Sequence, residues 1–222
     1  GVDWPSSLSV LKLGPNFNQP IFGVAWPNIQ HLELFDGNFN QPIVGVTWPP
    51  QLTHLKFGRF FNKTITDVEW PSSLSVLEFS GNFNQPITDV EWPSSLSVLE
   101  LSGNFNQPIV GVTWPPHLTH LKFGRFNQTI TDVEWPRSLK DLEFGHHFNQ
   151  AIVDVEWPSK LSVLKLGHSF NQPIIGVEWP TSLKHLQFGS AFNQPIVGIT
   201  WPRNLSVLDF GKFGGCFNQP IV

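Results

Sequence analysis

The sequence predicts a mostly β solenoid of about ten 22-residue coils, with one parallel sheet on a concave face and an extended convex side carrying little or no α-helix. Three observations predict it. Trp-Pro recurs ten times, from Trp4 to Trp201, every 22 residues, with one short step between Trp114 and Trp135. Phe-Asn recurs ten times in phase with it, from Phe17-Asn18 to Phe217-Asn218, with three extra residues before the last copy. Allowing for that deletion and that insertion, the repeat accounts for all 222 residues, so 1–222 reads as a single domain. A unit this short cannot bury its own apolar face, and successive units must stack to share one.

The first element of each coil is a strand. In the unit Leu96–His117, Leu96, Leu99 and Leu101 follow the spacing L-x-x-L-x-L, and the last two alternate with Glu100, the period of a strand with one buried face. The third site is Phe in six coils: Phe57, Phe79, Phe123, Phe144, Phe188 and Phe210. Parallel pairing of one strand per coil spans roughly 48 Å over the array. The second element is the turn Phe-Asn-Gln-Pro-Ile, whose Asn and Ile occur in all ten copies. A buried turn leaves backbone groups without ladder partners. The Asn column (Asn18, Asn40, Asn62, Asn84, Asn106, Asn127, Asn149, Asn171, Asn193, Asn218) is therefore expected as a buried structural ladder. Removing one rung would then cost about 1–3 kcal/mol. The third element is the return path Val-x-Trp-Pro. Proline disfavours helix at the preceding Trp, so this side is expected to be extended, with room for a second short strand. The Trp column reads as packing between coils rather than as an exposed sugar platform.

The chain begins and ends at the same phase of the repeat and contains no methionine, which points to a piece of a longer array and raises end-to-end self-association as a possibility. A net charge of -4 gives no reason to expect nucleic acid or an anionic membrane surface as partner. No apolar run approaches the roughly 20 residues of a membrane-spanning helix. With one cysteine, Cys216 in the inserted loop, no internal disulfide can form, a lean towards an intracellular setting. No phosphate-binding glycine loop, nucleophile elbow or strongly spaced metal-ligand cluster is present, so neither catalysis nor a cofactor is expected.

The L-x-x-L-x-L strand and the Asn column resemble the leucine-rich repeat family. Phe-Asn-Gln-Pro-Ile followed by W-P-x-x-L-x-x-L-x-F-G is similar to the FNIP-type subclass, with Gln, as at Gln107, where the name has Ile. That resemblance implies a right-handed parallel β-solenoid used for contacts between proteins.

The strand residue between the two buried sites faces the concave side. Down the coils it runs Lys12, Glu33, Lys56, Glu78, Glu100, Lys122, Glu143, Lys165, Gln187, Asp209, mostly alternating in sign. Two residues earlier lie Val10, His31, His54, Val76, Val98, His120, Asp141, Val163, His185 and Val207. As a surface this is either a self-satisfied charge ladder or a mixed face suited to a protein partner. The candidate partner-binding residues are His31, His54, Lys56, Glu78, Glu100, His120, Lys122 and Glu143, joined by Arg125, His146 and His168 on the strand-exit loops. Two imidazoles without a third ligand make a poor metal site. On the convex side Asp67 and Glu69 precede Asp89 and Glu91 by one coil, and Asp132 and Glu134 precede Asp154 and Glu156. Calcium would relieve their repulsion, but its sites add backbone ligands from a shaped loop, which favours a solvated acidic stripe. Three Asn-x-Thr/Ser strings, at Asn62, Asn127 and Asn204, read as accidents of the repeat.

Overall fold

The computed structural model describes residues 2–34, 37–211 and 215–221. Each repeat contributes one strand: β1 Val10–Lys12, β2 His31–Leu34, β3 His54–Phe57, β4 Val76–Gly81, β5 Val98–Gly103, β6 His120–Phe123, β7 Asp141–Glu143, β8 Val163–Lys165, β9 His185–Gln187 and β10 Val207–Asp209. They form one ten-stranded sheet in chain order. Every pairing is parallel and in the repeat's own register, Leu99 opposite Leu121 and Glu100 opposite Lys122, for example. There is no helix among the described residues.

The interior is apolar throughout, with no polar or charged side chain buried among the described residues. The three leucine sites, the Phe of Phe-Asn, the following Ile and the Val before Trp turn inward in every central coil. Within a coil the Phe of Phe-Asn stacks on a third-site Phe, with centroids 4.2 Å apart for Phe57 and Phe61 and 4.0 Å for Phe144 and Phe148. Between coils it stacks on its own repeat, Phe61 to Phe83 at 6.2 Å and Phe148 to Phe170 at 6.1 Å. The missing residue of the sixth coil is absorbed before Phe126, which keeps its place in the column at 6.3 Å from both Phe105 and Phe148.

These spacings widen from front to back. The strands lie about 4.8 Å apart. Third-site Phe rings stand 5.2 Å apart at Phe57–Phe79 and 5.4 Å at Phe188–Phe210. The Trp rings stand 6.0 Å apart at Trp48–Trp70 and 6.3 Å at Trp114–Trp135 and Trp179–Trp201. The Trp rings at the back are spaced more widely than the backbone ladder at the front, so the sheet becomes the concave face. The same widening explains why Val-x-Trp-Pro forms no second strand among the described residues: a hydrogen-bonded ladder needs about 4.8 Å, and proline removes a donor.

The Asn column is a ladder, but not a buried one. The Asn62 backbone N–H donates to Asn40 Oδ1 at 3.0 Å, and the pattern continues coil by coil to Asn218 on Asn193 at 2.9 Å. Asn18, Asn62, Asn106 and Asn218 are exposed and the others half-buried. The rungs need only the Oδ1 of each side chain, so the amide can sit at the surface. A second rail runs beside it: Gln41, Gln85, Gln107, Gln128, Gln150, Gln172 and Gln194 each donate through Nε2 to the backbone oxygen of the preceding coil's Asn. Gln therefore recurs because it reaches back one coil, whereas Lys63 at the same site of the third coil has no such bond.

Two sets of glycines answer to geometry. After Ile, the chain turns back with a bond from the Val112 N–H to Ile109 O at 3.3 Å, and Gly111 sits at φ 81°. Asp67 and Asp154 hold the same turn at φ 62° and 65°, a region few residues other than Gly, Asn and Asp enter readily. At the strand exit a Cβ on Gly145 would lie 1.4 Å from Gly124 O, and one on Gly167 1.6 Å from Gly145 O.

Candidate functional site: the concave charge ladder

The pleat of each strand turns its Leu inward and its two flanking residues towards the concave surface, where the ladder places them opposite the equivalents of the next coil. The charged column closes largely upon itself. Lys12 Nζ lies 3.0 Å from Glu33, Lys56 Nζ 2.8 Å from Glu78, and Lys165 Nζ 3.0 Å from Glu143, which Lys122 approaches at 3.8 Å. Glu100 is opposite both Glu78 and Lys122, yet the bond its carboxylate makes is with the Ser102 hydroxyl at 3.2 Å. Half-exposed pairs of this kind are worth little individually, and what they leave is a surface of fixed, patterned charge.

The histidines differ by neighbour. His31 and His54 lie opposite each other and stack, centroids 5.2 Å apart and planes 5° from parallel. His31 Nε2 is 2.9 Å from Glu33 Oε1. Burial works to raise the Glu33 pKa, but Lys12 and His31 together outweigh it and hold the carboxyl below its usual range. Burial, followed by the charge of His31, holds His54 below the ordinary histidine value, while Glu78 works the other way. His120 instead meets Asp141 of the next coil through Nε2. Its Nδ1 is 2.8 Å from the Thr119 hydroxyl, which also lies 3.0 Å from Ser97 O. Thr119–His120–Asp141 thus has the composition of a hydrolytic triad, but its hydroxyl is tethered to a backbone carbonyl.

Three coils separate His54, Lys56 and Glu78 from His120, Lys122 and Glu143, so the same group of side chains is presented twice. The second copy lines a shallow depression of about 480 Å³ with Val98, Glu100, Asp141, Val163 and Lys165. The loop residues also fall into line. Arg125, His146 and His168 each follow a glycine of the strand-exit column, all three exposed. The His146 and His168 rings are 6.0 Å apart, and the Ser190 hydroxyl is 2.6 Å from His168 Nδ1.

The convex carboxylates do not gather. All eight are exposed. Asp67, Glu69, Asp89 and Glu91 border one groove, and Asp132, Glu134, Asp154 and Glu156 another. Among the described residues no three His, Cys, Asp or Glu side chains come together as metal ligands. Cys216 is exposed, its backbone N–H bonded to Ser190 O at 2.7 Å, while residues 212–214 of its loop lie outside the described residues.

Sequence reasoning missed the Gln rail, the pairing of His120 with Asp141, and the hydroxyls that tie coil to coil, such as Ser95 Oγ to Leu74 O at 2.6 Å. Their signal was present as Ser, Thr and Gln recurring in phase. It also missed a cost: the indole N–H groups of Trp26, Trp48, Trp70, Trp92, Trp114, Trp135, Trp157 and Trp179 are buried without a hydrogen-bond partner.

The FNIP Repeat family model matches residues 27–60, 61–103, 83–125, 126–169 and 170–213. No curated protein matches the chain in sequence. Among solved structures, CroV588, described as "a novel circular LRR protein structure", is 38% identical with a TM-score of 0.61, over 99% of this chain and 38% of that one. YopM from Yersinia enterocolitica WA-314 is 18% identical with a TM-score of 0.54, over 99% of this chain and 56% of that one, a likeness of fold alone. The chain therefore spans well under two thirds of the length of either.

Proposed function

Since this chain belongs to the FNIP repeat family, with the fold of a leucine-rich-repeat solenoid, we propose that it is a non-catalytic scaffold that recognises a protein partner through its concave strand face and the adjoining loops. The observation that carries this reading is the concave face itself. It is a rigid sheet of mixed Val, His and paired charge, whose group at His120, Lys122 and Glu143 lines a shallow open depression. A broad face with fixed charges of both signs favours orientation and selectivity over the enclosure of a small molecule. Affinity capture comparing the wild type with a Glu100→Lys/Lys122→Glu variant tests it. Proteins retained by the first and lost by the second support the reading, and identical retention by both sinks it. Light scattering that grows with concentration in the absence of any partner would favour a self-associating module instead.

A further inference from the structure

On the concave face His31 of β2 and His54 of β3 lie opposite each other with their rings stacked. We infer that the stacked His31–His54 pair is a proton-responsive switch on the recognition surface, holding one proton readily and resisting the second. This deepens the reading of the concave face as the recognition surface and rests on it.

Hydrogen bonds hold both rings in place. Thr53 Oγ1 lies 3.0 Å from Gln30 O and 2.8 Å from His54 Nδ1. The hydroxyl bridges the two, and Gln30 O also accepts from the Thr53 and His54 backbone N–H groups. His31 bonds the Glu33 carboxylate through Nε2, which must therefore be the protonated nitrogen, leaving Nδ1 to accept. A proton added to His31 keeps a carboxylate against the ring. A proton added to His54 places a second positive charge 5.2 Å from the first, face to face, where the two repel. The groups around the pair sharpen the contrast. From β1 comes Lys12, already on Glu33; from β3 Lys56, already on Glu78 of β4; Val10 and Val76 flank the rings on either side. Both carboxylates within reach are thus shared with lysines, and an incoming proton finds no unshared one. The depressed proton affinity of His54, caused by burial and then by His31, agrees with this geometry. Acidification consequently turns a balanced stretch of the concave face, two lysines against two glutamates, into a cationic one, and adds repulsion between β2 and β3. Among the described residues no other neighbouring pair of concave strands carries imidazoles opposite each other: His120 faces Asp141, and His185 lies between Val163 and Val207.

Histidine ring resonances followed by NMR between acid and neutral pH on the whole chain test the switch. In the wild type His54 is expected to titrate below the ordinary histidine value. In His31→Phe, which keeps a covering ring but no charge, the His54 midpoint should rise by on the order of half a pH unit or more. His31→Asn, which removes ring and charge together, should raise it further. A His54 midpoint unmoved in His31→Phe overturns the inference, because burial alone would then explain its resistance. The reading is taken on the free chain, so its failure leaves the concave face standing as a recognition surface. Identical capture by the charge-exchanged variant would remove the recognition surface and leave the titration intact.

Discussion

Gly111 and Gly14 carry the same side chain for different reasons. Neither would meet an atom within 4 Å if given a Cβ, but Gly111 sits at φ 81° and Gly14 has no positive φ. Gly111→Ala should therefore destabilise by about 1–2 kcal/mol, the cost of a left-handed conformation for an L-residue, with Gly14→Ala close to neutral. Denaturant melts of both check it, and equal effects would refute the conformational account. Asp67 and Asp154 hold the same turn without glycine, and each is thus as much a turn residue as an acidic one. That double role was illegible in the sequence, where spacing suggested only a carboxylate stripe. The charges of the concave column could be placed from the strand period alone, because alternation fixes the face. Their pairing could not. Whether Lys122 turns to Glu100 or to Glu143 depends on rotamers that no pattern encodes.

At the scale of the element, the columns matter more than the strands, several of which are three residues long. Phe105 is fully buried and stacks on both Phe83 and Phe126, so Phe105→Ala should cost about 3–5 kcal/mol. Next to it, Asn106 is exposed: its N–H donates to Asn84 Oδ1 at 2.8 Å, and its own Oδ1 accepts from Asn127 at 2.7 Å. Water can take over the stranded Asn127 N–H, and Asn106→Ala should cost only about 0.5–1.5 kcal/mol. Thermal or denaturant melts that placed the two neighbours on a par would contradict this ranking of core column over surface ladder. The sequence revealed that Asn repeats with the coil and that it bonds from coil to coil. It could not reveal the depth of the ladder, because a rung looks the same in sequence whether or not water reaches it. The second short strand that the return path left room for does not form for a related reason: the tryptophans of that same segment hold neighbouring coils too far apart for a ladder.

For the whole molecule the unit of stability is the coil and its two interfaces. Deleting residues 96–117 joins Ser95 to Leu118 in phase, and nine strands should still stack, with a loss on the order of a tenth of the unfolding free energy. Deleting 96–106 throws the columns out of register and should abolish a single cooperative transition. Circular dichroism with denaturant melts distinguishes the two, and loss of strand signal in the in-phase deletion would refute additivity. Architecture was the most legible property of all, since a 22-residue period repeated ten times leaves little alternative to stacking. Function was the least legible, because the residues that vary from coil to coil are those the fold does not require.

The widening from sheet to tryptophan column makes every coil a wedge. Adding a wedge both lengthens an array and rotates its heading, so gaining or losing coils changes the arc that the inner surface sweeps, with no alteration to any residue on it.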